Sequence, residues 1–263
     1  MEIIKLAPFL FIIYFLVELF EHKYGDSLKH KLQKIGALGP VVGSLFGALP
    51  QCGFSVIATS LFLSGYLSIG TLISVYLSTS DEALPILLAD PSKSSFILPL
   101  IIIKIIYATL VGFTIDLILP KLRHKKQTVS VDVACCGHHP DNEKLSLKEL
   151  FVHPLIHTLK LLLFIVGITY LLDILFLYFH PVNFLNPFSS ALFGLFPNCA
   201  ASVFITELFI KNAISFGTLL SGLCASAGLG LLVLFKENKN KLQSFSVLLI
   251  LYVFSVLIGL IIK

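Results

Sequence analysis

The sequence predicts an all-α polytopic membrane protein made of two inverted repeats, each of about five hydrophobic helices. Three observations predict it: an apolar composition, ten apolar runs separated by short basic connections, and a motif that recurs 147 residues downstream. Of 263 residues, 56% are hydrophobic and 13% charged, against about 25% charged in an average soluble domain. With a mean hydropathy of +0.93, a water-soluble fold has nowhere to place so much apolar surface. Trp is absent and Phe numbers 23, so anchoring at the membrane interface falls to Tyr, Phe and Lys.

The apolar runs are 3 to 21, 36 to 49, 53 to 67, 69 to 89 and 95 to 119, then 155 to 179, 184 to 196, 200 to 213, 214 to 235 and 243 to 262. They divide the chain into a first membrane repeat (1–120), a linker (121–150) and a second membrane repeat (151–263). The first run lacks a small-x-small cleavage site and ends in Glu18, Glu21 and His22, which marks a membrane segment rather than a secretory signal. Four runs are short: a helix of about 14 residues reaches about 21 Å, against a hydrocarbon core of about 30 Å. These four form two adjacent pairs, each broken by a proline and a cysteine. The expectation is Pro-broken, half-length or re-entrant helices that meet at the centre.

The repeat is visible without gaps. Leu45 to Cys52 aligns with Leu192 to Cys199, and 15 of the 30 columns from Leu45 to Ser74 are identical. Apolar helices match by chance on Leu and Ile, but not on Pro, Cys, Gly, Ser and Thr together. Lys and Arg set the orientation. With the N-terminus outside, the connections 22–35, 120–150 and 236–242 carry thirteen basic residues on the cytosolic side. Lys5, Lys93, Lys211 and Lys263 are the four left outside, a positive-inside bias. Each half then crosses an odd net number of times, which inverts one against the other. The expected location is the inner (plasma) membrane, multi-pass, with both termini outside and the central loop cytosolic.

The net charge of +4 is an orientation signal and implies no nucleic acid, because the basic residues lie in connections and line no face. Five cysteines, an odd number, three of them within or directly beside apolar runs, argue against a disulfide framework.

Gly47-to-Cys52 and Gly194-to-Cys199 are the most informative motifs. Pro50 and Pro197 each remove a backbone donor and clash with the preceding turn, which leaves carbonyls free at membrane depth. Matching breaks in inverted halves point to a central transport site, against the alternative of kinks kept for packing. Cys52 and Cys199 offer soft ligands, with Ser55 and Ser202 one turn further on. Asp81 and Glu82 sit inside an apolar run, where acids mark an ion path or proton relay; the alternative is a tilted segment that brings them to the outer interface. Their repeat partners are Gly228 and Leu229, so an acid here breaks the symmetry. Glu207 is a further candidate, although Lys211 offers it an ordinary helix pair. Lys104 offers an internal countercharge to Asp81 or Glu82, and Lys160 a snorkelling cation.

In the linker, Cys135, Cys136, His138 and His139 suit zinc or copper(I) capture, but they lack the two-residue spacing of a closed zinc site, and a flexible linker is the equal alternative. His153 and His157 are spaced as in a zinc protease, without its glutamate. With no Cys-x-x-Cys either, no enzymatic activity or cofactor is expected.

The Pro-x-Cys breaks, the Ser78-to-Ala83 segment and the Cys/His-bearing loop resemble the ten-transmembrane heavy-metal exporter family, whose members are labelled arsenic efflux proteins or manganese transporters. The resemblance covers nearly the whole chain and implies export of a metal or metalloid ion. The layout is also similar to that of organoarsenical permeases, whose breaks are richer in cysteine. Here each break holds one cysteine, whereas trivalent arsenic favours two or three thiolates; Cys224 is a third only if its segment packs against both breaks. Manganese would take Asp81, Glu82, hydroxyls and carbonyls, whereas zinc, copper(I) or arsenite would take Cys52 and Cys199. No nucleotide-binding or phosphorylation signature is present, so the expectation is a secondary-active transporter whose partners are the lipid bilayer and the ion, a homo-oligomer being compatible with it. The competing readings are a metal-sensing or assembly subunit that binds metal in its loop without transport, and a permease for a small organic solute.

Overall fold

In the computed structural model, the residues described are 38–49, 52–80, 83–90, 92–118, 186–196 and 199–262, with Leu159 and Gly167 as isolated helical positions. The run 3–21, the connection 22–35 and the linker lie outside them. Among the described residues all regular structure is helical. The first set is α1 (Gly39–Gly47), α2 (Cys52–Leu63), α3 (Ile69–Ser78), α4 (Ala83–Ala89), a 3₁₀ turn (Ser94–Phe96) and α5 (Ile97–Ile118). The second set is α6 (Pro187–Gly194), α7 (Cys199–Ile210), α8 (Phe216–Ala225), α9 (Leu229–Glu237) and α10 (Lys241–Ile261).

The spacing of 147 residues governs local structure as well as sequence. Gly65 (φ 78°) and Asn212 (φ 56°) end α2 and α7 in the left-handed region, which Gly and Asn tolerate best. Tyr66 N–H then bonds Leu61 O (2.9 Å) and Ala213 N–H bonds Leu208 O (2.9 Å), the same helix stop made twice. Ser68 and Ser215 cap the next helices by accepting the N–H of Thr71 and Thr218.

Packing repeats too. On α1, Gly39, Gly43 and Gly47 fall one turn apart and lie against Thr71, Val75 and Ser78 of α3, the close backbone approach that small residues permit between membrane helices. Gly194 of α6 meets Gly222 of α8 in the manner that Gly47 meets Val75. Gly70 faces Gly112, and Gly217 faces Gly259. Thus α1, α3 and α5 form one bundle and α6, α8 and α10 another. The remaining helices cross over: α2 packs on α9, and α7 on α4. Repeat partners also touch each other, since the Tyr107 hydroxyl donates to Phe254 O at 2.6 Å.

Helices α3 and α8 begin at opposite ends of α5. Helix α3 begins at its C-terminal end, where Gly70 N–H bonds the Asp116 carboxylate (2.9 Å) and Gly70 abuts Gly112. Helix α8 begins at its N-terminal end, where the Phe216 and Phe96 rings lie 5.5 Å apart. Phe96 and Gly112 are separated by about 25 Å of helix.

Leu98, Ile102, Ile106, Leu110 and Phe113 form an exposed stripe on α5, and Phe245, Leu249, Val253, Leu257 and Leu260, each 147 residues on, form one on α10. Exposed apolar stripes of this length fit a hydrocarbon environment. Three stretches among the described residues are long and apolar enough to cross a membrane: Ser94–Ile118, Phe216–Glu237 and Lys241–Ile261. Two others are shorter apolar helices, Phe54–Leu63 and Ala201–Ile210.

The structure departs from the sequence reading at 69–89 and 214–235, which hydropathy presents as continuous runs. Both are interrupted, the first where α3 ends before Thr79 and Ser80, the second at Ser226–Gly228. In the first, the Ser78 hydroxyl donates to Ser74 O (2.9 Å) and the Thr79 hydroxyl to Val75 O (2.7 Å), local bonds that compete with helix continuation. Thr79 turns extended with ψ 130°. In the second, Gly228 adopts φ 57° before α9, open to glycine without strain. The apolar residues on either side keep each run continuous through a few small or polar positions.

Candidate functional site at the interrupted helices

The breaks in α3/α4 and α8/α9 bring two polar groupings into the interior. In the first, Ser55 and Thr59 of α2 meet Tyr76 of α3 and Gly230 of α9. The Thr59 hydroxyl lies 2.6 Å from Ser55 O, 2.6 Å from the Tyr76 hydroxyl and 3.2 Å from Gly230 O. Gly230 N–H donates to Ser55 Oγ at 3.2 Å. A Cβ at Gly230 would fall 2.6 Å from Ser55 O, so the glycine is what lets α9 begin against α2. Ser55, Thr59 and Tyr76 are buried. Ser202 and Thr206 repeat the helix-internal part of this arrangement, Thr206 donating to Ser202 O at 2.7 Å. Leu223 stands where Tyr76 stands in the first half, and Ala83 where Gly230 stands in the second.

The second grouping centres on Lys104. It is buried, at 1% exposure, and its ammonium donates to Thr79 O, at the end of α3, and to Leu223 O (2.9 Å), in the last turn of α8. Cys224, a free and buried thiol, is within electrostatic reach of Lys104. The sequence presents Lys104 as a countercharge to Asp81 or Glu82, which lie outside the described residues; the breaks supply it with two main-chain acceptors besides, which no side-chain pattern announces.

Of the residues singled out in the sequence, Ser55 and Ser202 lie buried on α2 and α7, one turn inside their N-termini. Cys52 and Cys199 are the first residues of those helices. Pro50, Pro197, Asp81 and Glu82 lie outside the described residues, as do Cys135, Cys136, His138 and His139. Glu207 is buried on α7. Cys224 belongs to an apolar cluster that also takes in Phe54 and Leu49, which flank the first Pro-x-Cys segment, and Leu195, which flanks the second. Among the described residues no group of three His, Cys, Asp or Glu side chains is poised around a metal ion; hydroxyls and main-chain carbonyls are the donors brought together.

Long apolar helices with lipid-type stripes, interrupted helices and an interior of hydroxyls and carbonyls define an α-helical integral membrane protein. A family model described as "Putative, 10TM heavy-metal exporter" (ArsP_2) matches residues 4–186, more than half of the chain. The chain belongs to that family. No curated protein and no solved structure matches it.

Proposed function

We propose that the chain is a secondary-active transporter that exports a metal or metalloid ion, of the manganese, zinc, copper or arsenite class. In this reading the two helix sets are inverted repeats (1–120 and 151–263), joined by the cytosolic linker 121–150, in the inner membrane with both termini outside. The ion site lies at the centre, at the Pro50-to-Cys52 and Pro197-to-Cys199 breaks with Ser55 and Ser202, and with Asp81 and Glu82 in the α3/α4 break. Cys135, Cys136, His138 and His139 capture the ion from the cytosol.

The observation that carries the reading is the opposed entry of α3 and α8 from the two ends of α5, both stopping midway. Each has 10 residues, about 15 Å of helix, so the two together match a hydrocarbon core of about 30 Å. Half-helices that end near the midplane in matching positions are the architecture of alternating-access transporters. The topology is supported by neighbours: Lys93 reaches Asn212 at 2.7 Å, linking two connections assigned outside. Ser68 donates to Asp116 at 2.6 Å, which sets the start of α3 beside the end of α5 that leads into the cytosolic linker.

The test is whole-cell elemental analysis of exporter-deficient cells, with and without the protein, challenged with manganese, zinc, copper, cadmium and arsenite. A selective fall in one element, abolished by Cys52→Ser with Cys199→Ser, is expected for a thiolate-bound substrate; a fall abolished by Asp81→Asn with Glu82→Gln assigns an oxygen-bound one. Unchanged content of every element overturns metal export and leaves the sensing or organic-solute readings.

A further inference from the structure

The C-terminal ends of α3 and α8 converge from opposite directions on one point. That point is Lys104, eight residues from Phe96, where α8 begins, and eight from Gly112, where α3 begins. The last carbonyls of a helix have no intrahelical donor, and each C-terminus carries about half an elementary negative charge. Two such ends facing each other amount to about one negative charge in a region that water does not reach. One ammonium reaches both ends, and two of its acceptors come one from each bundle: Thr79 O from the first and Leu223 O from the second. The repeat position of Lys104 is Leu251, buried and apolar, so a single cation serves a place made by both halves.

We propose that the facing carbonyl ends of α3 and α8 form a monovalent-cation site, and that the Lys104 ammonium is its built-in occupant. A free alkali or ammonium ion could hold two half-helix ends together in the same way; here the ion is tethered to α5 and does not exchange. The consequence for transport, which rests on the proposed function, is that these carbonyls are taken. The transported ion is held by groups other than these two carbonyls. The site itself does not depend on which ion is exported.

The test is chemical rescue of Lys104→Ala in the purified full-length protein in detergent. The substitution opens a space the length of a propylammonium ion between Cβ and the two carbonyls. The variant is expected to melt roughly 5 °C or more below the parent. Propylammonium is expected to recover most of that shift in Lys104→Ala, and to do nothing to the parent or to Lys104→Met, where a neutral side chain fills the space. Propan-1-ol, of the same shape without charge, is expected to fail. Equal stabilisation by the alcohol, or none by either compound, overturns the proposal. If Lys104→Ala yields no folded protein, Lys104→Arg and Lys104→Met decide: a larger monodisperse fraction for Arg is expected, and Met equal to or above Arg overturns the cation site. Transport by the parent is scored separately. A parent that moves no ion while propylammonium rescues the variant refutes the transporter reading alone; transport without rescue refutes the cation site alone.

Discussion

Thr59 is the residue on which the first interior polar grouping turns. It holds Ser55 O, the Tyr76 hydroxyl and Gly230 O together, and so ties α2 to α3 and α9. Hydrogen bonds between membrane helices average about 0.6 kcal/mol and reach about 1.7. Thr59→Val should therefore cost about 1–2 kcal/mol, part of it from a buried Tyr76 hydroxyl left without its partner. A double-mutant cycle checks the cause: Tyr76→Phe added to Thr59→Val should restore stability relative to Thr59→Val alone. Strictly additive losses would mean that the two side chains do not act together. Ser55 belongs to the same grouping, and Ser55→Ala, which removes the acceptor for Gly230 N–H, should lower stability by a similar amount.

At the scale of the element, glycines decide which helices touch. A Cβ at Gly47 would fall 2.1 Å from Ser78 Oγ, one at Gly194 2.1 Å from Gly222 O, and one at Gly167 would meet nothing within 4 Å among the described residues. Gly→Ala in an open helix interior stabilises by about 1 kcal/mol. Gly167→Ala should therefore raise the apparent melting temperature, whereas Gly47→Ala and Gly194→Ala should lower it by forcing α1 off α3 and α6 off α8. Loss of stability at all three positions would contradict the packing. The sequence made the repeat legible because it is written in Gly, Pro, Cys, Ser and Thr, residues whose backbone roles differ. The matched Ser68 and Ser215 prove to be helix caps, whereas the helix stops at Gly65 and Asn212 went unread, since there the two halves differ in residue type. The breaks after Ser78 and at Ser226–Gly228 were not read from hydropathy, because long apolar flanks keep a run continuous through a few small or polar residues whether the backbone is helical or turned. Lys104 was visible as a buried charge, but Thr79 O and Leu223 O, two of its acceptors, are carbonyls, which have no letter in a sequence.

For the whole molecule, the two helix sets share a spacing of 147 residues in their caps, glycine contacts and exposed stripes, and they exchange α2 and α4 for α9 and α7 as neighbours. If the sets are inverted in the membrane, sidedness follows. In a background without native cysteines, Lys93→Cys should react with an impermeant thiol reagent in intact cells, and Tyr66→Cys, which is 46% exposed, only in everted vesicles. Reaction of both from one side would contradict inversion.

The central claim is that the chain moves a metal or metalloid ion, and transport by the purified protein in proteoliposomes tests it most directly. Vesicles holding a metal-sensitive dye, or assayed by elemental mass spectrometry for arsenite, are offered manganese, zinc, copper(I), cadmium and arsenite under an imposed proton gradient. The account predicts uptake of one of these that depends on the gradient and is lost with Cys52→Ser and Cys199→Ser, or with Asp81→Asn and Glu82→Gln. Correctly folded protein that carries none of them under any gradient would contradict it.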